Sequence, residues 1–215
     1  MIPAAHRHAA TPRALLMLGV SLLAAACSTV GGATPVPTSG TVSETAACPT
    51  SQPEPLPTGE ARTVTIDTDK GSIAIKIEAD LSPIAAGNFV ALAGCGFYEG
   101  VVFHRVVPGF VIQGGDPTGT GGGGPGYEIQ DETVTATYSR GTVAMARTSL
   151  PNSVGSQFFI VLDDAARSAL ASANTYQIIG TVAAGMDAVD AIAAAADAEN
   201  PSNPVVMSKV SVSNP

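Results

Sequence analysis

The segment Phe103–Asp116 places two side chains with several hydrogen-bond donors among apolar residues. Arg105 carries a guanidinium that stays charged and presents its donors in a fixed fork, so it could bind a polar group that Phe110 and Val111 shield from water. Gln113 adds an amide to the same segment. Taken singly, such an Arg is usually part of a surface ion pair and such a Gln usually faces solvent. The segment therefore indicates electrostatic chemistry only through its combination of residues.

Signals for other kinds of chemistry are weak. Two of the three histidines lie at positions 6 and 8, and no spacing of His, Cys and acidic residues is typical of a metal site. We therefore expect neither a metal nor a cofactor. The glycines at 121–124 are not followed by the Lys-Ser or Lys-Thr of a phosphate-binding loop, so they predict a flexible loop instead. The net charge of −8 and the lack of a basic run argue against nucleic acid as a partner.

The N-terminus has the pattern of an export signal. A mildly positive start precedes the apolar run 14–26, which is too short for a bilayer span of about 20 residues and fits the apolar part of a signal peptide. We predict a signal peptide over residues 1–26 and lipidation of Cys27, because small residues followed by Cys resemble a bacterial lipobox. The protein would then be a membrane-anchored lipoprotein facing outside the cytoplasm. The alternative is an ordinary secretory signal cut near the same place, which would give a secreted protein.

Residues 27–61 predict a mobile linker. They are rich in Ser, Thr and Gly, contain six prolines, and have little apolar surface to bury. A tether between a lipid anchor and a folded domain needs that property. The later part of the segment, from Cys48, is expected to pack on the domain if Cys48 forms a disulfide. With Cys27 lipidated, Cys48 and Cys95 remain, and outside the cytoplasm they could form a disulfide or stay two unrelated thiols. The folded domain is predicted over residues 62–215.

The domain has the pattern of many short strands with two helices. Apolar and polar residues alternate on either side of a Lys70-Gly71 turn, which predicts a hairpin. Ser82-Pro83 is typical of a helix start. A closed antiparallel barrel accounts for such a series, and the two helices could cover its ends. The predicted strands are 64–68, 73–77, two within 101–113, 141–146, 157–162, 176–182 and 205–212, the predicted helices are 84–92 and 186–195, and 165–171 is a short helix or a turn.

Several motifs of this domain resemble the signature sequences of the cyclophilin family. Phe103-His104-Arg105, Pro108-Gly109-Phe110 and Gln113-Gly114-Gly115-Asp116 carry the main likeness. Further matches follow in the family's order, namely Asn88-Phe89, Gly96-Phe97-Tyr98-Glu99-Gly100, Gly126-Tyr127, Asp131-Glu132, Gly141–Ala146 and Gly155–Ile160. The resemblance covers roughly residues 62–213, and the exported bacterial branch of the family is the most similar.

The resemblance implies a peptidyl-prolyl cis-trans isomerase that is mainly β, an eight-stranded antiparallel barrel capped by two α-helices with its active groove on the outer surface. The implied catalytic residues are Arg105, Gln113 and Phe110, with Gln113 holding Arg105 in place. The implied partners are proline-containing peptides and unfolded or exported proteins, and the protein would be monomeric. The implied substrate-binding residues are Val111, Ala146, Arg147, Gln157, Phe159, Leu170 and Tyr176.

Four features depart from the family pattern. The chain contains no Trp, whereas many members bind cyclosporin through a Trp at the groove edge, so we expect weak cyclosporin inhibition. Arg147 replaces a frequent Asn, and the segment 148–154 is one residue longer than usual, which affects the preference of the neighbouring substrate subsite. Tyr176 stands where many members have His.

The same residues are also compatible with functions other than isomerisation. His104 could be a general base, but the implied reaction needs no proton transfer, and the neighbouring position in a strand points away from Arg105. A structural role for His104 is the better interpretation. The domain could also be a non-catalytic module that binds Pro-containing peptides, although a pure binder would not need Arg105. A structural or adhesive surface lipoprotein fits the linker but has no specific support.

Overall fold

The alternating residues at the start of the domain form the predicted hairpin. In the computed structural model, which describes residues 47–214, β1 (Ala61–Thr68) pairs antiparallel with β2 (Gly71–Glu78). Ile66 lies opposite Ile73, and both are completely buried. Every second residue of each strand therefore contributes to one apolar face, as the alternation predicts.

The other predicted elements are present with shifted ends. The two predicted helices are α1 (Pro83–Gly94) and α3 (Met186–Ala195), and the third helix, α2 (Arg167–Ala173), follows a 3-10 turn at Asp164–Ala166. The remaining strands are β3 (Arg105–Val107), β4 (Val111–Gly114), β5 (Thr142–Met145), β6 (Phe158–Val161), β7 (Ile178–Ala184) and β8 (Lys209–Ser213).

The eight strands form one antiparallel sheet in the order β3-β4-β6-β5-β7-β2-β1-β8. The sheet curls, so that the segments preceding β3 and β8 meet. Val102 forms isolated bridges with both Asp116 and Val206, and the Phe103 N–H donates to the Val205 carbonyl at 3.0 Å. The eight-stranded antiparallel fold is confirmed, and its closure is made by these isolated bridges and not by a ladder between β3 and β8.

Successive residues of β4 and β6 alternate between two apolar clusters. Ile112 and Phe158 belong to the core inside the curled sheet, whereas Val111 and Phe159 belong to an outer cluster. The pleat of the strands explains this division, because neighbouring side chains point to opposite faces. Leu170 of α2 packs on the outer cluster and is buried. The outer face of the sheet is therefore partly apolar, which a binding groove requires.

The chain before β1 is part of the folded domain. Leu56 is buried, and its N–H donates to the Pro83 carbonyl at 2.9 Å. The segment approaches α1 closely at Gly87, where a Cβ would clash with the Glu54 carbonyl oxygen. Only a residue without a side chain fits this contact. Packing of this kind is inconsistent with a mobile linker up to residue 61.

A disulfide fixes the same segment at its start. Cys48 is joined to Cys95, the residue after α1, and their Cα atoms are 5.1 Å apart. The Gln130 N–H also donates to Gln52 Oε1 at 2.9 Å. The residues from Cys48 onward are therefore held to the domain, as expected for a bridged Cys48, so this part of the predicted linker over residues 27–61 is not mobile.

Residues 1–46 and residue 215 lie outside the described part of the chain. The signal peptide over residues 1–26, the lipidation of Cys27 and the first part of the linker fall there and stay predictions. Between residues 47 and 214, no helix combines the length and the apolar character that crossing a bilayer requires.

Candidate active site

A cavity of about 160 Å³ opens on the outer face of the sheet, and we call it the apolar cavity. The register of β3, β4 and β6 places Arg105 opposite Gln113, and Gln113 opposite Phe159. One cation and one amide thereby meet an aromatic wall. Nine of the ten predicted site residues line this cavity, namely Arg105, Phe110, Val111, Gln113, Ala146, Arg147, Phe159, Leu170 and Tyr176.

Two aromatic side chains give one wall of the apolar cavity a fixed shape. The rings of Phe159 and Tyr176 meet edge to face, with their centroids 5.3 Å apart and an interplanar angle of 86°. The Tyr138 hydroxyl donates to the Tyr176 carbonyl at 2.9 Å, which fixes the backbone at that position. Edge-to-face pairs are a favourable arrangement of aromatic rings. The wall therefore exists before any ligand binds.

Helix α2 also lines the apolar cavity. Besides the predicted Leu170, it contributes Ala169 and Ala173, which the sequence analysis missed. Leu170 and Ala173 are three residues apart and so share one helix face. Helical spacing around Leu170 was the signal that could have identified Ala173.

Arg105 is held by an ion pair with Glu199. Its Nε donates to Glu199 Oε1 at 2.8 Å, and the two side chains are 34% and 59% exposed. Among the described residues, the guanidinium makes no other hydrogen bond, so both terminal amino groups are available to a ligand. Glu199 was not predicted, because it follows Arg105 by 94 residues and belongs to no motif.

Gln113 does not hold Arg105, and this corrects the sequence-based prediction. Its Nε2 donates to Gln157 Oε1 at 2.9 Å. Gln157 Nε2 in turn donates to the carbonyls of Gly121 and Gly123, at 2.9 Å each. The amide of Gln113 is therefore connected to the glycine-rich loop by a series of hydrogen bonds through Gln157.

A second cavity of about 580 Å³ adjoins the first, and we call it the glycine-loop cavity because residues 121–126 form one of its walls. Gln113, Ala146 and Arg147 line both cavities. The predicted Gln157 lines the glycine-loop cavity and not the apolar one. The ten predicted site residues are thus distributed over two adjoining spaces.

Arg147 lies at the boundary of the two cavities with its charge compensated. Its side chain is 9% exposed, and one terminal nitrogen lies 3.0 Å from Asp131 Oδ1. The other terminal nitrogen donates to the Leu150 carbonyl at 2.6 Å, and Nε donates to the Thr148 carbonyl at 3.2 Å. Arg147 therefore shapes the turn over residues 148–153 and does not present a free positive charge.

The glycine-rich loop is anchored by a buried carboxylate. Asp116 accepts hydrogen bonds from the Thr118 N–H at 2.7 Å, the Thr118 hydroxyl at 2.8 Å, the Thr120 N–H at 3.0 Å and the Gly121 N–H at 2.6 Å. Burial is the largest single influence and would raise the pKa of Asp116, but hydrogen bonds from Thr118 and the loop backbone outweigh it and lower that pKa to about 2. The loop expected to be flexible is therefore tied down by an ionised group.

His104 lines neither cavity. It is 7% exposed, and both ring nitrogens are buried without a hydrogen-bond partner among the described residues. Burial lowers the pKa of His104, the nearby Asp116 opposes this change, and the charge of Arg105 adds to it. A neutral, enclosed ring away from the cavities has no access to a substrate.

Comparisons with known proteins show which family the sequence and the fold are similar to. Residues 63–212 match the family described as "Cyclophilin type peptidyl-prolyl cis-trans isomerase/CLD". The "Probable peptidyl-prolyl cis-trans isomerase" of Brucella abortus is 39% identical over 150 residues, covering 64% of this chain and 74% of that protein. A Streptococcus pyogenes relative, named as a bifunctional phosphatase and peptidyl-prolyl cis-trans isomerase, is 47% identical over 102 residues, but the chain spans only 22% of its length.

Solved structures with the same fold include a cyclophilin-type peptidyl-prolyl cis-trans isomerase of Cryptosporidium parvum. It is 32% identical, with a TM-score of 0.64, over 72% of this chain and 99% of that one. A second structure of that protein, determined in the presence of the dipeptide Ala-Pro, is similar with a TM-score of 0.63 and 31% identity, over 71% of this chain and 99% of that one. Sequence and fold therefore lead to one family.

Proposed function

The chain belongs to the cyclophilin-type peptidyl-prolyl cis-trans isomerase family, and we propose that it accelerates rotation about X-Pro bonds while exported proteins fold. The observation that carries this proposal is the position of Arg105, a charged donor, at the edge of the apolar cavity. The proline ring of a substrate would occupy that cavity.

The reaction sets a specific demand on the site. Rotation about a peptide C–N bond has a barrier of about 18–20 kcal/mol, because the bond has partial double-bond character. Uncatalysed prolyl isomerisation accordingly takes tens to hundreds of seconds. No covalent bond has to break. The site must therefore bind the twisted amide more tightly than it binds either planar isomer.

Arg105 can meet this demand through a terminal N–H that donates to the prolyl nitrogen. The lone pair of that nitrogen is conjugated in the planar amide and is available only when the amide twists. The hydrogen bond would therefore form mainly in the transition state. A charge-assisted hydrogen bond contributes about 1.5–3 kcal/mol, which corresponds to roughly a 10- to 150-fold change in rate.

The apolar walls would select the proline and strengthen this hydrogen bond. The cavity has a volume of about 160 Å³, a space for one small ring. Phe110, Val111 and Phe159 would pack on that ring and exclude water, which strengthens electrostatic interactions at the site. The Ala-Pro dipeptide in the similar Cryptosporidium parvum structure supports this class of ligand.

Isomerisation of a prolyl peptide by residues 48–215, with Arg105→Ala beside the wild type, tests the proposal. We expect clear activity in the wild type and at least a roughly tenfold lower kcat/KM in the variant. The melting temperature should hardly change, because exposed ion pairs contribute little to stability. Equal rates for the two proteins would contradict the role of Arg105.

A non-catalytic module that binds Pro-containing peptides is the second candidate. The apolar cavity supports it, because a proline pocket alone is sufficient for binding. Saturable binding of a prolyl peptide without any acceleration in either protein would favour this candidate over the isomerase.

We also propose that the protein acts outside the cytoplasm, attached to the membrane by a lipid on Cys27. The signal-like residues 1–26 support this location, and so does the Cys48–Cys95 disulfide, because disulfides persist in oxidising compartments. A Cys27→Ala variant should lose membrane association in fractionated cells, whereas Cys48→Ala should keep it. Membrane association of the Cys27→Ala variant would contradict the lipid anchor.

A further inference from the structure

We propose that Glu199 is a positioning residue for the isomerase reaction, because it fixes the guanidinium of Arg105 from outside the cavity. This inference rests on the proposed role of Arg105. Glu199 does not line the apolar cavity, so it would act on the substrate only through Arg105.

Glu199 contacts β3 through its backbone as well as its side chain. Its carbonyl accepts from the Val106 N–H at 2.7 Å, and its carboxylate accepts from Arg105 Nε at 2.8 Å. β3 has three residues and is an end strand of the sheet, with β4 on its other side. Glu199 therefore lies along the open edge of the strand that carries Arg105. Because the backbone of Glu199 is bonded to this strand, its carboxylate is held close to Arg105.

The loop that carries Glu199 is itself held in shape. The Ser202 N–H donates to Asp197 Oδ1 at 2.9 Å, and the Ser202 hydroxyl donates to the other oxygen of Asp197 at 2.5 Å. Beyond the loop, the Val205 carbonyl accepts from Phe103 at 3.0 Å. Glu199 thus lies between two fixed points and not at the tip of an unsupported loop.

The ion pair has a geometric consequence for Arg105. A free arginine side chain populates many rotamers, and bringing it to one orientation costs entropy at each encounter with a substrate. Glu199 engages Nε, which leaves the two terminal amino groups as the donors available to the cavity. An already oriented donor should raise kcat more than it lowers KM, because the prolyl nitrogen accepts only in the twisted state.

A competing effect has the opposite sign. A carboxylate beside Arg105 also reduces the positive potential at the cavity, so its removal could strengthen the attraction for the prolyl nitrogen. Glu199→Gln separates the two effects, because the amide oxygen can still accept from Nε while the charge is lost. Glu199→Ala removes both the hydrogen bond and the charge.

The experiment measures kcat, KM and melting temperature for the purified full chain as wild type, Glu199→Gln and Glu199→Ala. We expect kcat/KM of Glu199→Ala to fall about threefold to tenfold, mainly through kcat, and Glu199→Gln to stay within about twofold of the wild type. The melting temperature should be unchanged in both, because a pair this exposed adds little stability. Higher kcat/KM in both variants, or no change in either, would overturn the inference.

Two further variants distinguish the possible failures. Asp190→Ala is the matched control, because it removes a similarly exposed pair with Arg140 that lines neither cavity, and it should leave kcat/KM unchanged. In an Arg105→Lys background, Glu199→Ala should add little, since Nε of Arg105 is then absent. A full additional loss there would overturn the inference. If Arg105→Ala has the same kcat/KM as the wild type, the proposed role of Arg105 is wrong. If Arg105→Ala loses activity but Glu199→Ala has the kcat/KM of the wild type, only the positioning role of Glu199 is wrong.

Discussion

Gln157 is the side chain that links Gln113 to the glycine-rich loop. Its amide oxygen accepts from Gln113, and its amide nitrogen donates to the carbonyls of Gly121 and Gly123. A net contribution of about 0.5–1.5 kcal/mol for each hydrogen bond is enough to keep the loop against the rim of the site. Arg105 is not part of this series of hydrogen bonds, because its side chain is bonded to Glu199.

Gln157→Ala should therefore weaken substrate binding more than it slows the chemical step. We expect KM to rise about fivefold to tenfold, with a smaller change in kcat, in steady-state isomerisation of a prolyl peptide. Gln130→Ala, which alters an exposed glutamine, is the control and should match the wild type. A loss confined to kcat would show that Gln157 acts on Arg105 and not on the loop.

The residues of the site were predictable from sequence where they belong to a motif, and their partners were not. Arg105, Phe110 and Val111 lie within one short segment, and the structure brings them to one cavity. The bond from Gln113 goes to a residue 44 positions away, and the bond from Arg105 goes to one 94 positions away. A polar side chain with several geometrically possible acceptors has its partner chosen by the tertiary fold, which no local pattern encodes.

At the scale of elements, α1 has an N-terminus capped from a distance. The sequence predicts Ser82 as its cap, but the Ser82 hydroxyl makes no capping hydrogen bond. Glu132 performs this function instead, because its two oxygens accept from the N–H groups of Ile84 and Ala85 at 2.9 Å each. A carboxylate at this end also interacts favourably with the helix dipole.

Glu132→Ala should destabilise the domain by about 1–2 kcal/mol, because two backbone donors lose their partner and the dipole loses a neighbouring charge. Urea unfolding at pH 7 measures the effect. Glu78→Ala, which removes an exposed ion pair with Lys76, is the control and should change the free energy of unfolding by less than about 1 kcal/mol. A loss no larger than that of the control would mean that water replaces Glu132 as the cap.

Local periodicity explains which elements were predictable. The β1–β2 hairpin follows from strict alternation of apolar and polar residues around a short turn, so it can be predicted from its own residues alone. The segment over 163–174 carries a weaker signal, since it is Ala-rich without a clear apolar period, and it predicted only a short helix or a turn over 165–171. It folds as a 3-10 turn capped by Asp163 and a helix ended by Asn174 in the left-handed conformation at φ 44°. Packing of Leu170 on the outer cluster, a tertiary contact, stabilises this arrangement.

For the molecule as a whole, composition does not show where the folded domain begins. Residues 48–60 have the Pro-rich composition of a mobile linker, yet they begin at the disulfide to Cys95 and pack on α1. A cross-link limits the freedom of the unfolded chain, so a segment with little apolar surface can stay ordered. Spacing alone could not show that Cys48 lies beside the end of α1.

Stability of the whole domain should depend on pH through His104. Burial holds the pKa of His104 below its ordinary value, so the unfolded chain binds a proton at a higher pH than the folded one. This contribution to stability is complete above a pH of about 6.5, the ordinary value, and is lost as the pH falls below it. The slope is at most about 1.4 kcal/mol per pH unit for one proton.

Urea unfolding of residues 48–215 between pH 8 and pH 5 measures this dependence. The free energy of unfolding should fall with pH in the wild type, and the fall should be much smaller in His104→Gln, which removes the one histidine of this part of the chain. Asp116, with a pKa of about 2, stays ionised throughout that interval and keeps the glycine-rich loop anchored.

Over the pH range in which the domain stays folded, kcat/KM should be flat, because rotation about a prolyl bond transfers no proton. A value of kcat/KM that follows the titration of His104 while the protein stays folded would show that this residue takes part in catalysis.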